Sequence, residues 1–220
     1  MKAMILAAGR GRRLRPLTDK KPKPLIRVGK RTLIEHHISK LASAGFESIV
    51  INTAYRGEQI RQHLSDGSKY NIPIRYSDEG EHALETGGGI SYALPLLGDK
   101  PILVISADIY CHIPFDPDFK FNDSQMHLYM VKNPKHNIDG DFSSEELKLN
   151  NHKEQRFTYS GIAYIDPKLF THEERAFPLI DTIHHCIKGH NISAELFAGA
   201  WFDVGTGSRL HTANKYALCN

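Results

Sequence analysis

The chain has 220 residues, of which 40% are hydrophobic, with 28 lysines and arginines against 25 aspartates and glutamates. Its apolar runs are far shorter than the about 20 residues of a membrane-spanning helix. Three cysteines lie far apart without a CxxC pair, which argues against a disulfide framework or a structural zinc site. We therefore expect one cytoplasmic domain over residues 1–220, a monomer or weak homo-oligomer with no membrane partner.

Positive charge is concentrated at the start of the chain. Residues 1–31 contain 11 lysines and arginines and one acidic residue, Asp19, whereas the remainder is net negative. A nucleic-acid-binding surface usually interleaves aromatic residues with its basic ones, and residues 1–31 contain no aromatic residue. The asymmetry therefore favours a small anionic ligand over a nucleic acid partner.

The first half of the chain alternates predicted strands with predicted helices. The first strand breaks at Gly9 into a loop with two glycines and four arginines. Apolar runs predict the strands at 4–8, 48–52, 72–76 and 101–106. Helical spacing of apolar residues predicts the helices at 33–44, 59–64 and 90–97, the last of them opened by a glycine-rich loop at 85–89.

Local signals refine two of these elements. Thr32 followed by Glu35 has the spacing of a capping box, and Gly45 supplies a stop, so the first helix is expected between them. Pro73 indicates an edge position or a start for the third strand, because proline cannot donate to a strand ladder.

Strands that alternate with helices at this spacing predict βαβ units, and therefore an α/β fold with a mostly parallel sheet. Such sheets bind ligands beyond the carboxyl ends of their strands. The loops at 9–15 and 85–89 and the residue Asp108 each follow a predicted strand. We therefore expect all three to converge on one edge of the sheet.

The second half is less regular. Strands are predicted at 125–131, 157–165 and 201–203, a helix from Pro178 to Gly189, and a last helix capped by Ser208. The polar segment at 133–151 contains a predicted turn at 139–141. Gly161, inside its strand, indicates a bulge or a close approach of the backbone to a ligand.

The loop at 9–15 has the composition of a phosphate-binding site. A strand that feeds a glycine-rich basic loop brings backbone N–H groups and cations to phosphate. The loop is not a dinucleotide fingerprint, because Leu14 occupies the place of the third glycine, and no Gly-Lys-Ser/Thr follows to make a Walker motif. Gly9 and Gly11 still permit a close approach of the backbone to phosphate.

The order of motifs resembles that of the sugar-1-phosphate nucleotidylyltransferases over nearly the whole chain. The matching residues are LAAG at 6–9, Gly11, Arg13, PLT at 16–18, PKPL at 22–25, ETGGG at 85–89, Asp108, Gly161 and WFDVGT at 201–206. Within the family, LETGGG at 84–89 and FTYSG at 157–161 are most similar to the N-acetylmuramate-1-phosphate uridylyltransferases. Mannose-1-phosphate guanylyltransferases share the glycine-rich segment.

The resemblance implies a Rossmann-like α/β fold, with a mixed, mainly parallel sheet flanked by helices. It also implies transfer of a uridylyl group from UTP to N-acetylmuramate 1-phosphate with Mg²⁺, in peptidoglycan recycling. Because the attacking phosphate oxygen is already an anion, such a site needs cations, backbone donors and a metal more than a base. By the resemblance, Arg13 and Lys23 are catalytic, and Asp108 and Asp203 hold Mg²⁺.

The resemblance also assigns the ligand contacts. The nucleotide contacts are Ala7, Ala8, Gly9, Gly11 and Gly88, beside Arg13 and Lys23, and the sugar contacts are Glu85, Gly87, Asp141, Ser160 and Gly161. One alternative is a guanylyl- or thymidylyltransferase that acts on mannose or glucose 1-phosphate. Another is a nucleotide-sugar-binding regulator without turnover, because Ala107 stands where the family usually has glycine.

Overall fold

A mostly parallel central sheet organises the computed structural model, which describes residues 1–149, 155–172 and 175–219. The described strands are β1 (Lys2–Leu6), β2 (Arg27–Val28), β3 (Arg31–Thr32), β4 (Ser48–Thr53), β5 (Ile74–Asp78), β6 (Ile102–Ser106), β7 (Ile109–Cys111), β8 (Met126–Val131), β9 (Phe142–Ser143), β10 (Arg156–Ile165), β11 (Ile192–Phe197) and β12 (Trp201–Asp203). The described helices are α1 (Leu17–Lys20), α2 (Leu33–Ala44), α3 (Gly57–Leu64), α4 (Glu85–Leu97), α5 (Leu179–Lys188) and α6 (Gly207–Cys219). Short 3₁₀ turns lie at Arg12–Leu14, Lys23–Leu25, Ser68–Tyr70 and Pro167–Leu169. None of the helices in these ranges is long and apolar enough to cross a membrane.

The strands of the large sheet run in the order β11-β8-β10-β6-β1-β4-β5, with β9 paired to β10. Neighbours along this path are parallel except where β10 pairs with β6 and β8. Small two-stranded sheets are formed by β2 with β3 and by β7 with β12. The predicted α/β fold with a mixed, mainly parallel sheet is therefore confirmed. The strand that follows Pro73 lies at the edge of the sheet, as predicted.

Helices pack against apolar side chains on both faces of the sheet. Met4 and Ile5 of β1 are fully buried and point to opposite faces, because side chains alternate along a strand. Ile5 belongs to the apolar cluster that includes α2 and α3, and Met4 belongs to the cluster that includes α4 and α5. Burial on both faces explains why the central strands are continuous apolar runs in the sequence.

Helix α2 begins and ends where its sequence signals predict. The N–H of Glu35 donates to Thr32 Oγ1 at 3.4 Å, and the N–H of Thr32 donates to Glu35 Oε2 at 2.8 Å, which completes a capping box. Gly45 ends the helix at φ 87°, in the left-handed region that favours glycine. Both predicted ends are confirmed.

Other elements differ from their predictions. The glycine-rich segment at 85–89 is helical, since α4 already begins at Glu85, and the prediction of a loop there was wrong. The cap of α6 is Thr206 and not Ser208, because Thr206 Oγ1 accepts the hydrogen bond from the N–H of Arg209 at 3.3 Å. Strand β11 was not predicted, since only Ile192 in it is fully buried and its partner β8 is distant in sequence.

Strand β10 contains the bulge that its glycine predicted. Its register with β8 shifts between Tyr159 and Ala163, and Gly161 lies in this interval at φ 80°. In the preceding loop, the predicted turn at 139–141 includes a hydrogen bond from the N–H of Gly140 to the oxygen of Asn137 at 3.3 Å. The last two positions of the predicted polar segment, 150 and 151, lie outside the described residues.

Candidate active site

Two clefts open at the carboxyl ends of the central strands. The first cleft, of about 370 Å³, lies beyond β1, β4 and β6. From the predicted site it contains Ala7, Ala8, Gly9, Gly11, Arg13, Lys23, Glu85 and Asp108. The structure therefore brings the basic loop, the start of α4 and the end of β6 to one edge of the sheet.

The second cleft, of about 320 Å³, adjoins the first along Ser106 and Asp108, which line both. From the predicted site it contains Asp108, Asp141, Ser160, Gly161 and Asp203. Residues that are far apart in the sequence thus meet at Asp108, where the two clefts join.

The loop after β1 is held by contacts on its inner side. Leu14 is buried, and Thr18 Oγ1 donates a hydrogen bond to the backbone oxygen of Gly11 at 2.9 Å. Gly11 has a φ of 62°, and a Cβ on it would come within 3.0 Å of Lys23 and Thr18. Glycine is therefore required here both for backbone conformation and for space. Arg13, on the exposed side of the same turn, lines the first cleft.

A hydrogen-bonded chain beneath the first cleft was not predicted. The N–H of Ala7 donates to Asn52 Oδ1 at 2.7 Å, and Asn52 Nδ2 donates to Glu79 Oε1 at 2.6 Å. Glu79 Oε2 accepts from the N–H of Leu84 at 2.6 Å, just before α4. Burial raises the pKa of Glu79, although these two hydrogen bonds oppose the rise. The available signal was Asn52 itself, a polar side chain near the carboxyl end of a buried strand.

Lys23 lines the first cleft and reaches Asp108, the residue at which the two clefts join. It occupies a 3₁₀ turn between Pro22 and Pro24, whose rings restrict the backbone. Its side chain is only 11% exposed, and Nζ lies 2.5 Å from Asp108 Oδ2. The ammonium group is therefore held at one position at the junction, with Asp108 as its counter-charge.

The pairing of β7 with β12 brings the two predicted metal ligands together. Asp203 pairs with Ile109, the residue after Asp108, and the N–H of Val204 donates to the backbone oxygen of Asp108 at 2.9 Å. Both aspartates line the second cleft. A short antiparallel pair outside the main sheet thus joins two strand ends that are 95 residues apart in sequence.

The two carboxylate oxygens of Asp203 differ in their hydrogen bonds within the described structure. Arg209 Nη1 donates to Oδ2 at 2.7 Å, and His136 Nε2 lies 3.3 Å from the same atom. Oδ1 is buried and has no hydrogen-bond partner among the described residues. A buried carboxylate oxygen without a donor is unfavourable, and it suits a hard cation. Neither Arg209 nor His136 was predicted to belong to the site.

The described residues contain no group of three or more His, Cys, Asp and Glu side chains close enough to hold a metal ion by themselves. Mg²⁺ commonly takes one or two carboxylates and completes its coordination with substrate phosphates and water. Asp108 and Asp203 provide two carboxylates of this kind, so the donor set fits Mg²⁺ when phosphates are present.

Two of the predicted sugar contacts shape the second cleft. Asp141 accepts hydrogen bonds from the N–H of Tyr159 at 2.7 Å and from Asn137 Nδ2 at 2.8 Å, which ties the polar loop to β10. A Cβ on Gly161 would lie 3.0 Å from Ser106 Oγ, so the backbone of the bulge packs against the wall that both clefts share.

The other predicted contacts, Glu85, Gly87 and Gly88, lie in the first turn of α4, and only Glu85 among them lines a cleft. Glu85 is exposed, has a φ of 60° and lines the first cleft. Gly87 and Gly88 are buried and line neither cleft, and their N–H groups donate to the oxygen of Phe177 at 2.9 and 3.0 Å. In the structure these glycines allow residues 175–177 to pack on α4. Their contact with a ligand stays a prediction, and it would require this segment to move.

Gly88→Ala is expected to destabilise the protein by about 1–3 kcal/mol, as overpacking of a tight contact does. The new Cβ would lie 2.3 Å from the backbone oxygen of Arg175, which cannot rotate away as a side chain can. Chemical unfolding of both proteins measures the difference. Gly207→Ala is the matched control, since a Cβ there meets nothing within 4 Å. Equal stability of the Gly88 variant and the wild type would contradict this packing.

The model of the nucleotidyl transferase family matches residues 2–137, which is more than half of the chain. This chain belongs to the nucleotidyl transferase family. One relative, the N-acetylmuramate alpha-1-phosphate uridylyltransferase of Neisseria meningitidis serogroup B, is 42% identical over 99% of this chain and 98% of its own length. The resemblance drawn from the motifs is therefore confirmed.

This nucleotidyl transferase is also similar to proteins that are named for other sugars. The mannose-1-phosphate guanyltransferase of Aspergillus fumigatus is 31% identical over 93% of this chain and 61% of its own length. The crystal structure of a Bacillus anthracis protein, assigned as a glucose-1-phosphate thymidylyltransferase, has a TM-score of 0.81 at 21% identity. That comparison covers 99% of this chain and 95% of the other, and at such an identity it supports the fold alone.

Proposed function

We propose that this chain transfers a uridylyl group from UTP to N-acetylmuramate 1-phosphate, which gives UDP-N-acetylmuramate and pyrophosphate. The observation that carries the proposal is the 42% identity, over nearly the full length of both chains, to a protein of that name. The junction of two clefts at Lys23 and Asp108 supports it, because the reaction must hold two anionic substrates side by side. In this proposal the enzyme works in the cytoplasm, in peptidoglycan recycling.

The proposed reaction is a displacement at phosphorus. An oxygen of the sugar 1-phosphate attacks the α-phosphorus of UTP, the bond from that phosphorus to the bridging oxygen breaks, and pyrophosphate leaves. Lys23, at the junction, would offset the repulsion between the sugar phosphate and the α-phosphate. Arg13 and the backbone N–H groups of the loop at 9–15 would bind the β- and γ-phosphates and stabilise the leaving pyrophosphate.

Asp108 and Asp203 would hold Mg²⁺ in this proposal. The support is Oδ1 of Asp203, which is buried and has no hydrogen-bond partner among the described residues, and the partly exposed carboxylate of Asp108 in the same cleft, since Mg²⁺ takes oxygen ligands of this kind. When bound, the ion supplies positive charge to phosphate oxygens. Arg209 would fix the orientation of Asp203 through its other oxygen, and so keep Oδ1 in place.

Two other functions are tested alongside this one. The identity to a mannose-1-phosphate guanyltransferase favours a guanylyltransferase as the second candidate. Ala107, which is 3% exposed and lines the first cleft, is the feature that favours a regulator without turnover. An enzyme is favoured by the pairing of Lys23 with Asp108 and by Oδ1 of Asp203, which has no hydrogen-bond partner among the described residues.

One measurement separates the three functions. Pyrophosphate release is followed with UTP, GTP, dTTP and CTP, each combined with the 1-phosphates of N-acetylmuramate, N-acetylglucosamine, glucose and mannose. We expect release with UTP and N-acetylmuramate 1-phosphate to exceed that with every other pair. Fastest release with GTP and mannose 1-phosphate would establish the guanylyltransferase instead. Saturable binding of UTP without release from any pair would establish the regulator.

A further inference from the structure

A third cleft, of about 280 Å³, opens beside the second, and His136, Trp201 and Asp203 line both. It lies between the ends of β8 and β11 and the first turns of α6. Of its lining residues, the transfer chemistry proposed above uses only Asp203 and Arg209. Its position makes it a side chamber of the cleft that would hold the sugar.

Part of the lining of the third cleft is apolar. It is formed by the side chains of Phe197, Trp201 and Phe202. The indole N–H of Trp201 donates to the backbone oxygen of Ser160 at 2.9 Å, which fixes this ring between the second and third clefts. A small aliphatic group that enters from the sugar cleft would therefore meet aromatic surface.

The lining of the third cleft also carries positive charge. Lys132, the exposed residue after β8, lines the cleft and forms no ion pair with a carboxylate of the described residues. Arg209 and Asp203 also line the cleft, but they form an ion pair of 2.7 Å and so compensate each other. The charge that remains is that of Lys132, and it favours an anionic occupant.

We propose that the third cleft binds the lactyl ether of N-acetylmuramate, with Lys132 as the counter-charge of its carboxylate. The inference rests on the proposed function, because N-acetylmuramate differs from N-acetylglucosamine by this group alone. The substituent bears one methyl group and one carboxylate, and the cleft offers aromatic side chains and the ammonium group of Lys132, which has no ion-pair partner among the described residues. The third cleft thus selects the sugar, whereas the first and second clefts carry out the transfer.

The test is Lys132→Gln, with the binding of UDP-N-acetylmuramate and UDP-N-acetylglucosamine measured by calorimetry. Removal of a hydrogen bond to a charged group is expected to weaken the first ligand about tenfold. The affinity for UDP-N-acetylglucosamine is expected to stay unchanged, because that ligand has no lactyl carboxylate. The value of kcat/KM for N-acetylmuramate 1-phosphate should fall by the same factor, and the variant should no longer distinguish this substrate from its lactyl amide.

Lys135→Gln is the matched control, since Lys135 lies on the same loop and lines none of the three clefts. Equal weakening of both ligands in the Lys132 variant would overturn the inference, and so would unchanged binding of both. In either case wild-type transfer to N-acetylmuramate 1-phosphate would leave the proposed function standing. A wild-type protein that does not prefer N-acetylmuramate 1-phosphate would overturn the proposed function and the inference together.

Discussion

Lys23→Ala is expected to lower the rate of pyrophosphate release by at least about 100-fold, since one positioned donor at a developing charge is worth that much. Lys23 is held between two prolines, its side chain is 11% exposed, and its Nζ lies 2.5 Å from Asp108. Water cannot replace a cation fixed in this way, because the reacting phosphates would then face each other without a charge between them. The loss should appear in kcat at saturating concentrations of both substrates.

Lys21→Ala is the matched control for this variant. Lys21 belongs to the same basic segment but is exposed and lines none of the described clefts, so its removal is expected to leave kcat unchanged. Thermal unfolding of the Lys23 variant shows whether the loss is one of chemistry or of folding. A folded Lys23→Ala protein with a nearly normal rate would remove Lys23 from the mechanism.

The position of the candidate site followed from the sequence because its elements obey local rules. The loop at 9–15 and Asp108 each come directly after a buried apolar run, and parallel strands expose their carboxyl ends at one edge. Lys23 and Asp108 are 85 residues apart, and the topology alone brings them to this edge. Sequence reasoning does not yield their direct ion pair, which depends on the 3₁₀ turn that buries Lys23.

Other features depend on packing that has no local signal. Three consecutive glycines disfavour a helix by intrinsic propensity, yet α4 passes through them. Residues 175–177 pack where side chains of Gly87 and Gly88 would stand, and Asn52 and Glu79 pack where that of Gly89 would stand. Arg209 belongs to the candidate site because the first turn of α6 places it within hydrogen-bond distance of Asp203. A Cβ on Gly205 would lie 2.0 Å from Nη2 of Arg209, so the glycine leaves room for this side chain. An arginine in the first turn of the helix that follows the WFDVGT segment is a weak signal, which becomes useful only when the fold is known.

Asp203→Asn is expected to lower turnover by about 100-fold or more, because charge that a metal ion supplies at a phosphate is worth several kcal/mol. Asparagine preserves the size of the side chain but removes the charge, and Oδ1 is the atom without a partner in the described structure. The Mg²⁺ concentration for half-maximal rate should rise as well, which a purely structural role of Asp203 would not cause. Asp99→Asn, at an exposed position before β6 on the opposite edge of the sheet, is expected to change neither quantity. A lowered rate with an unchanged Mg²⁺ requirement would assign Asp203 to the binding of Arg209 and remove it from the metal site.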